Sequence, residues 1–207
     1  MMALLRLGQG IFALVIFRII IGCIKKFDSE NGLPEGLSWK MIFLTFFSGG
    51  LIVPESIVQS LLLITFISYL ASMAYTDFYT MQVYSLFYVL AAVPGYMWLL
   101  GTGSWFAIKV ALIYIGFVLI AFWVFKGFGG GDAEVFIAAT PYITLLAQRM
   151  EQSVVLVLIL FMLLALAYNV LGCVVKSIRT RKWVMKSAMV PYIYGAAVCM
   201  VILDNLL

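Results

Sequence analysis

Charged residues are scarce in this chain. Of its 207 residues, 11% are charged and 65% are hydrophobic, whereas soluble domains carry ~25% charged and ~45–50% apolar residues. We therefore expect an integral membrane protein. At about 20 apolar residues per crossing, the chain is long enough for eight or so transmembrane helices and has no room for a soluble catalytic domain. Any chemistry must then reside on the helices or on their short connections.

Histidine is absent altogether. This absence excludes Ser–His and Cys–His nucleophiles and the HExxH type of zinc site. The three cysteines, Cys23, Cys173 and Cys199, lie far apart in sequence and form no CxxC pair. Because a structural zinc site needs four ligands, they are too few to build one. We expect no metal site.

Eight apolar segments follow one another along the chain, separated by polar or glycine-containing turns. They cover residues 7–24, 41–53, 56–76, 82–100, 105–125, 135–148, 152–175 and 187–203. Five of them are clear, whereas the first, second and sixth are short or interrupted, so six to eight crossings are expected. The pattern predicts an all-α fold, a polytopic bundle of about eight transmembrane segments.

The basic residues are unevenly distributed between the two sides of this bundle. Alternating crossings place nine of the thirteen Lys and Arg residues on one side: Lys25, Lys26, Lys40, Lys126, Lys176, Arg179, Arg181, Lys182 and Lys186. Only Arg6 and Arg149 fall on the other side. The positive-inside rule makes the basic side cytoplasmic. The net charge of +4 is thus explained by topology and by contact with the lipid bilayer, and no nucleic-acid partner is expected.

Two of the four aspartates lie where apolar segments meet connections on the basic side. Asp77 and Asp132 are separated by two predicted crossings, so both should lie at the cytoplasmic ends of neighbouring helices. Asp28 and Asp204 are expected to be solvated. Two carboxylates that approach closely cannot both ionise cheaply, and the pair supplies a general base and a general acid for peptide hydrolysis. Spacing alone is equally compatible with two unrelated helix-end residues.

A glycine-rich run, Gly127-Phe128-Gly129-Gly130-Gly131, immediately precedes Asp132. Glycines permit positive φ and close backbone approach beside the aspartate. A phosphate-binding loop is disfavoured because no Lys-Ser/Thr pair follows and because Asp132 and Glu134 would repel an anion. A plain flexible connection between helices is the alternative.

These residues resemble a known family. Gly129 through Asp132 matches the GxGD signature of intramembrane aspartyl proteases, and 127–134 resembles the second-aspartate motif of the type IV prepilin peptidases. The stretch 77–85 resembles that family's first-aspartate region, and 190–195, Val-Pro-Tyr-Ile-Tyr-Gly, resembles its final-helix segment. The resemblance covers residues 57–207 as a peptidase membrane core. It leaves residues 1–56 as N-terminal membrane segments with a short cytoplasmic loop.

The resemblance implies an aspartyl endopeptidase in a bacterial inner membrane or an archaeal cell membrane, with its active site facing the cytoplasm. The implied substrate is a prepilin or pseudopilin, whose short basic leader is removed, and no cofactor is implied. Asp77 and Asp132 would be catalytic. The active-site loop that contacts substrate would comprise Gly127, Gly129, Gly130, Gly131 and Glu134. Acidic residues that could attract the leader are Asp28, Glu30, Glu35 and Glu134.

The chain departs from the family pattern at three places. Tyr84-Ser85 replaces the usual Pro-Asn, Glu134 replaces a common Lys, and the loop 25–40 lacks the CxxC pairs of many bacterial members. N-methylation of the cleaved pilin, which many members also perform, is not expected.

Three other readings compete with this one. A presenilin-like protease would carry Tyr before the first aspartate and Pro-Ala-Leu late in the chain, but Thr76 precedes Asp77 and Tyr192 follows Pro191. A proton-coupled transporter or channel subunit would use Asp77 and Asp132 as a proton relay, and it predicts carboxylates nearer the middle of the membrane. A purely structural subunit leaves the glycines beside Asp132 unexplained.

Overall fold

The described part of the chain folds into eight α-helices. The computed structural model describes residues 2–28, 32–53, 56–102, 104–124, 129–182 and 188–207, and within these ranges there is no β-strand. The helices are α1 (Met2–Phe27), α2 (Trp39–Gly50), α3 (Ile57–Thr80), α4 (Ser85–Gly101), α5 (Trp105–Val124), α6 (Gly130–Arg149), α7 (Val154–Thr180) and α8 (Val190–Leu206). Each apolar segment corresponds to one helix, which confirms the predicted all-α bundle.

Helices α3 and α6 extend beyond the apolar segments that predict them. Helix α3 continues past Asp77 to Thr80, where Met81 adopts a left-handed conformation (φ 56°) and donates its N–H to the Asp77 carbonyl oxygen. This is an ordinary way to end a helix. Helix α6 begins at Gly130, so Asp132 and Glu134 lie in its first turns rather than in a loop. Hydropathy marks where apolar burial changes, whereas the helix ends where backbone hydrogen bonding stops.

Among the described helices, four are long and apolar enough to cross a membrane: α1, α3, α5 and α7. Large hydrophobic side chains cover much of the outer surface of the bundle. On α5, for example, Leu112, Ile113 and Trp123 are 62%, 73% and 85% exposed. An apolar surface of this extent is unfavourable in water and is suited to contact with lipid.

Helices α3 and α6 form the centre of the bundle. Nearly every side chain from Leu63 to Asp77 on α3, and most of those from Ala133 to Ala147 on α6, are buried. Helix α3 packs against α8 and α1, and α4 packs against α6. Close packing depends on small residues, as is usual between membrane helices: a Cβ on Gly49 of α2 would approach the Ala13 Cβ of α1 within 2.5 Å.

The N-terminal helices are part of the same bundle. The Ser68 hydroxyl of α3 donates to the Ala13 carbonyl of α1 at 3.1 Å, and the hydroxyls of Ser48 on α2 and Tyr194 on α8 are 2.8 Å apart. The described residues before and after position 56 therefore share one hydrophobic core.

The bundle has two distinct ends. We call the end that holds Asp77 and Asp132 the carboxylate end, where α3 ends and α6 and α8 begin. The other end, where α6 and α8 finish, holds Arg149 and Asp204, and we call it the ion-pair end. The helices alternate in direction, as the sequence predicts.

The expectation that Asp204 is solvated is wrong. Its carboxylate lies 2.9 Å from the Arg149 guanidinium, and both side chains are 2% exposed. Arg149 also donates to the Val53 carbonyl at 3.0 Å, and the neighbouring Asn205 donates to the Leu51 carbonyl at 2.8 Å. Asp204 is close to the end of the sequence, which suggests an exposed position. Its burial results from the packing of α8 against the end of α6 and against the residues that follow α2, and the sequence does not show this packing.

Candidate active site

Asp77 lies in the last turn of α3, at its contact with the start of α8. The side chain is buried, with 6% exposure, and its Oδ2 accepts a hydrogen bond from the Val190 backbone N–H at 3.0 Å. Val190 is the first residue of α8, whose N–H groups have no partner within the helix. The positive end of the α8 dipole favours a carboxylate at this position.

Asp132 occupies the first turn of α6. Its Oδ2 accepts a hydrogen bond from the backbone N–H of Gly129, the N-cap residue, at 3.0 Å. An acidic side chain that reaches back to the N-cap in this way is the carboxylate half of a capping box. Each of the two aspartates thus has one carboxylate oxygen fixed by an N–H at the beginning of a helix.

The two carboxyl groups share one end of the bundle and are close enough to interact electrostatically. Their supporting segments are in contact. Val83, which follows Asp77 by six residues, packs so closely on Gly131 that a Cβ there would lie 2.9 Å from the Val83 Cβ. The structure therefore brings together the two aspartates that the sequence singles out. Their catalytic role stays a prediction.

The glycines beside Asp132 act through close approach rather than through unusual backbone angles. None of Gly129, Gly130 and Gly131 has a positive φ, so that part of the expectation is wrong for these three residues. Gly131 faces Val83, whereas a Cβ on Gly130 would meet nothing nearer than the Phe122 ring at 3.8 Å. The predicted site residue Gly127 lies outside the described residues.

Glu134 is half-buried and points toward α4. The Ser85 hydroxyl, at the start of α4, lies 3.1 Å from its Oε1 and 3.0 Å from its Oε2. Ser85 stands where the pattern of the resembled family has Asn, so two of the three departures from that pattern, Ser85 and Glu134, are in contact. Two tyrosines, Tyr69 of α3 and Tyr88 of α4, also lie within electrostatic reach of Glu134.

The connection between α1 and α2 is held against this end of the bundle by polar contacts. The Lys25 ammonium donates to the carbonyls of Pro34 and Glu35 at 2.6 and 2.8 Å, and the Tyr75 hydroxyl donates to the Gly36 carbonyl at 3.2 Å. Asp28 is half-buried and accepts a hydrogen bond from another side chain of this end, the Tyr84 hydroxyl, at 2.8 Å. Glu30 lies outside the described residues.

Sequence reasoning misses three residues of this site. Val190 contributes its backbone N–H, which binds the Asp77 carboxylate. The 190–195 motif draws attention to this region but does not indicate that Val190 contacts Asp77. Ser85 is visible only as a departure from the family pattern. Tyr69 lies in an unbroken apolar stretch and looks like an ordinary core residue.

The chemical groups at the carboxylate end are carboxylates, hydroxyls and backbone amides. Within the described ranges, no group of three or more Asp, Glu or Cys side chains is arranged to hold a metal ion. Paired carboxylates on fixed backbone supports can act as a general base and a general acid toward a bound water.

The chain was also compared with known proteins. It matches no protein-family model, no curated protein and no solved structure. The interpretation of the site accordingly rests on its own geometry and on the resemblance of its motifs.

Proposed function

We propose that this protein is a membrane-embedded aspartyl endopeptidase that removes the short basic leader of type IV prepilins or pseudopilins. The observation that carries the proposal is that Asp77 and Asp132 lie at the same end of the bundle, where Val83, six residues after Asp77, packs against Gly131, the residue before Asp132. The substrate class comes from the resemblance of the 77–85, 127–134 and 190–195 motifs.

The supported mechanism uses one carboxylate as a base and the other as an acid. The base removes a proton from water as the water attacks the carbonyl carbon of the scissile peptide. The acid hydrogen-bonds the carbonyl oxygen and protonates the departing amine. Because Oδ2 of each aspartate is held by a backbone N–H, the two Oδ1 atoms are the candidates for contact with water and substrate.

The proposed orientation places the carboxylate end in the cytoplasm. The described basic residues at this end include Lys25, Lys40, Lys176 and Arg179, whereas Arg6 and Arg149 lie toward the other end. The positive-inside rule therefore supports a cytoplasmic active site, where a basic leader would be presented before pilin export.

The position of the carboxylates favours the peptidase over a proton-coupled transporter. Asp77 lies in the last turn of α3 and Asp132 in the first turn of α6. A relay that carries protons across a bilayer needs ionisable groups along the membrane interior. Two carboxylates at one end of the bundle are instead placed for peptide hydrolysis at the membrane boundary.

The test is cleavage of a candidate prepilin in membranes that contain wild type, Asp77→Asn or Asp132→Asn at equal protein levels. We expect either substitution to abolish leader removal, because the pair loses its base or its acid. Glu151→Gln is the control, since Glu151 is exposed near the ion-pair end, and it should retain most of the activity. Full cleavage by both dyad variants, or proton flux in liposomes without peptidase activity, would overturn the proposal.

A further inference from the structure

Prolines interrupt two helices that begin at the carboxylate end and pack against each other. Pro94 lies inside α4 and Pro141 lies inside α6. A proline inside a helix has no N–H to donate, so the carbonyl of the residue four positions earlier loses its helical partner. In α4 this is the carbonyl of Leu90, and in α6 it is the carbonyl of Ile137. Within a bilayer, a carbonyl freed in this way needs a donor from elsewhere in the protein.

Each interruption receives a tyrosine hydroxyl from the other helix. The Tyr96 hydroxyl of α4 donates to the Ile137 carbonyl of α6 at 2.7 Å, and so replaces the hydrogen bond that Pro141 removes. In return, the Tyr142 hydroxyl of α6 donates to the carbonyl of Ala91, in the turn that precedes the proline of α4. We call these two reciprocal hydrogen bonds the tyrosine clasp.

The clasp depends on a close approach of the two helices. A Cβ on Gly95 would lie 2.7 Å from the Pro141 Cγ and 2.8 Å from the Tyr142 Cε2, so only glycine fits at this position. Tyr142 is 1% exposed, and its ring stacks on that of Phe66 on α3, with ring centroids 4.4 Å apart. The clasp therefore connects α4 and α6 to the central helix α3.

Burial alone does not provide a tyrosine of this bundle with a partner. The hydroxyls of Tyr69 on α3 and Tyr114 on α5 make no hydrogen bond with a described residue, although these side chains are 1% and 7% exposed. The hydroxyls of the clasp differ because they lie at the carbonyls of proline-containing turns.

We propose that Tyr96 and Tyr142 are positioning residues for the candidate dyad. Asp132 belongs to the first part of α6, and the backbone hydrogen bonding that joins this part to the rest of the helix is interrupted at Pro141. The Tyr96 hydrogen bond holds the first part of α6 against α4. Tyr142 holds α6 against α3, the helix that carries Asp77. Loss of the clasp therefore shifts Asp132 relative to Asp77.

The catalytic consequence of the clasp rests on the proposed function. A displacement of about 1 Å at a reacting group can lower a rate by on the order of a hundredfold. We expect Tyr96→Phe combined with Tyr142→Phe to lower kcat for leader cleavage by roughly tenfold or more, with KM within about twofold of wild type. Tyr114→Phe is the matched control, since it removes a buried hydroxyl that has no described partner, and it should keep the wild-type kcat. Rates are measured on full-length protein in detergent, at equal concentrations of folded, monodisperse enzyme.

A second background tests whether Tyr96 acts through the carbonyl that the proline frees. Alanine at position 141 restores the N–H that bonds to the Ile137 carbonyl. Tyr96→Phe should therefore lower kcat in the wild-type background and have little further effect in the Pro141→Ala background. Equal losses of kcat in the two backgrounds would overturn the proposed role of Tyr96.

The position of α6 can also be measured without peptidase activity. In a background where the three native cysteines are replaced by alanine, Ser85→Cys on α4 and Glu134→Cys on α6 place two thiols where the wild-type side chains are hydrogen-bonded. We expect a short bifunctional thiol reagent to link this pair several times more slowly when Tyr96→Phe and Tyr142→Phe are present than when the clasp is intact.

The outcomes distinguish this inference from the proposed function. If wild type cleaves no candidate prepilin but loss of the clasp slows cross-linking, the proposed function fails and the clasp still positions the start of α6. If wild type cleaves a prepilin and the variant without the clasp keeps the wild-type kcat or the wild-type cross-linking rate, the clasp is refuted and the proposed function stands.

Discussion

Gly131 is the residue at which the two halves of the candidate site touch. The Val83 side chain follows the first aspartate and lies where a Cβ of residue 131 would project, with its Cβ and Cγ2 at 2.9 and 3.0 Å from that point. Real Cβ atoms do not approach so closely. A larger residue would have to separate the 81–84 connection from the start of α6, and so move Asp77 relative to Asp132.

We therefore expect Gly131→Ala to lower the rate of leader cleavage by roughly tenfold or more, the kinetic equivalent of about 1.4 kcal/mol. The matched control is Gly130→Ala, where the added methyl would meet only the Phe122 ring at 3.8 Å, an ordinary contact. Both variants place alanine in the first turn of the same helix. Rates measured with one prepilin at equal enzyme concentration test the difference, and equal rates for the two variants would refute it.

At the residue scale the acidic candidates can be identified from the sequence, because only 11% of the residues are charged. The glycines can be identified because four of them fall within residues 127–131. The sequence predicts that Asp77 and Asp132 lie at the same end of neighbouring helices, and that glycines allow close backbone approach beside Asp132. It cannot identify Val190, whose contribution is a backbone N–H that any residue would provide. Nor can it distinguish Tyr69 from the other core tyrosines, since an unpaired hydroxyl is a property of the surrounding helices.

At the scale of elements, helices α6 and α8 are tied together at the ion-pair end and support the aspartates at the carboxylate end. Helix α6 carries Asp132, and the first N–H of α8 holds Asp77. At their other ends, Arg149 and Asp204 form a buried ion pair. A buried charge left without its partner is far more costly than an apolar replacement of both.

Arg149→Met should therefore destabilise the protein by about 3–5 kcal/mol, because it leaves the Asp204 carboxylate buried without its cation. Replacement of both residues, Arg149→Met with Asp204→Leu, should recover much of that loss. Arg18→Met is the control, since Arg18 is exposed on α1 and should change stability little. Thermal unfolding in detergent measures all three, and equal stability of the single and double variants would contradict the role of the ion pair.

The eight elements themselves are predictable from hydropathy, because apolar segments bounded by polar turns have few alternatives in a membrane. Their exact ends are not. Helix α3 continues past Asp77 to Thr80 and ends where Met81 adopts a left-handed conformation. Helix α6 begins before its apolar segment because Asp132 caps its own first turn. The pairing of Asp204 also escapes prediction, since it depends on how α6 and α8 pack.

At the scale of the whole molecule, the alternating helices sort the charges onto two ends. The carboxylate end collects most of the basic residues together with the candidate site. The ion-pair end keeps Arg149 inside a salt bridge and leaves Glu151 exposed beside it. The sequence predicts this sorting because it follows from the number of crossings and the positions of Lys and Arg alone.

The proposed orientation can be tested with single cysteines. In a background where Cys23, Cys173 and Cys199 are replaced by alanine, we expect a membrane-impermeant maleimide to label Glu151→Cys in intact cells. Glu35→Cys should react only after the cells are permeabilised. Both positions are exposed, so accessibility within the protein does not bias the comparison. Labelling of residue 35 but not residue 151 in intact cells would invert the orientation and place the candidate site outside the cytoplasm.

The most direct measurement of the central claim, that Asp77 and Asp132 act as one catalytic unit, is a double-mutant cycle on leader cleavage. Initial rates are compared for wild type, Asp77→Asn, Asp132→Asn and the double variant at equal concentrations of folded protein. Residues that act as a unit are strongly non-additive, so we expect both single variants and the double variant to share the same low residual rate. Substantial cleavage by either single variant, or a double variant whose loss is the product of two independent losses, would contradict the dyad.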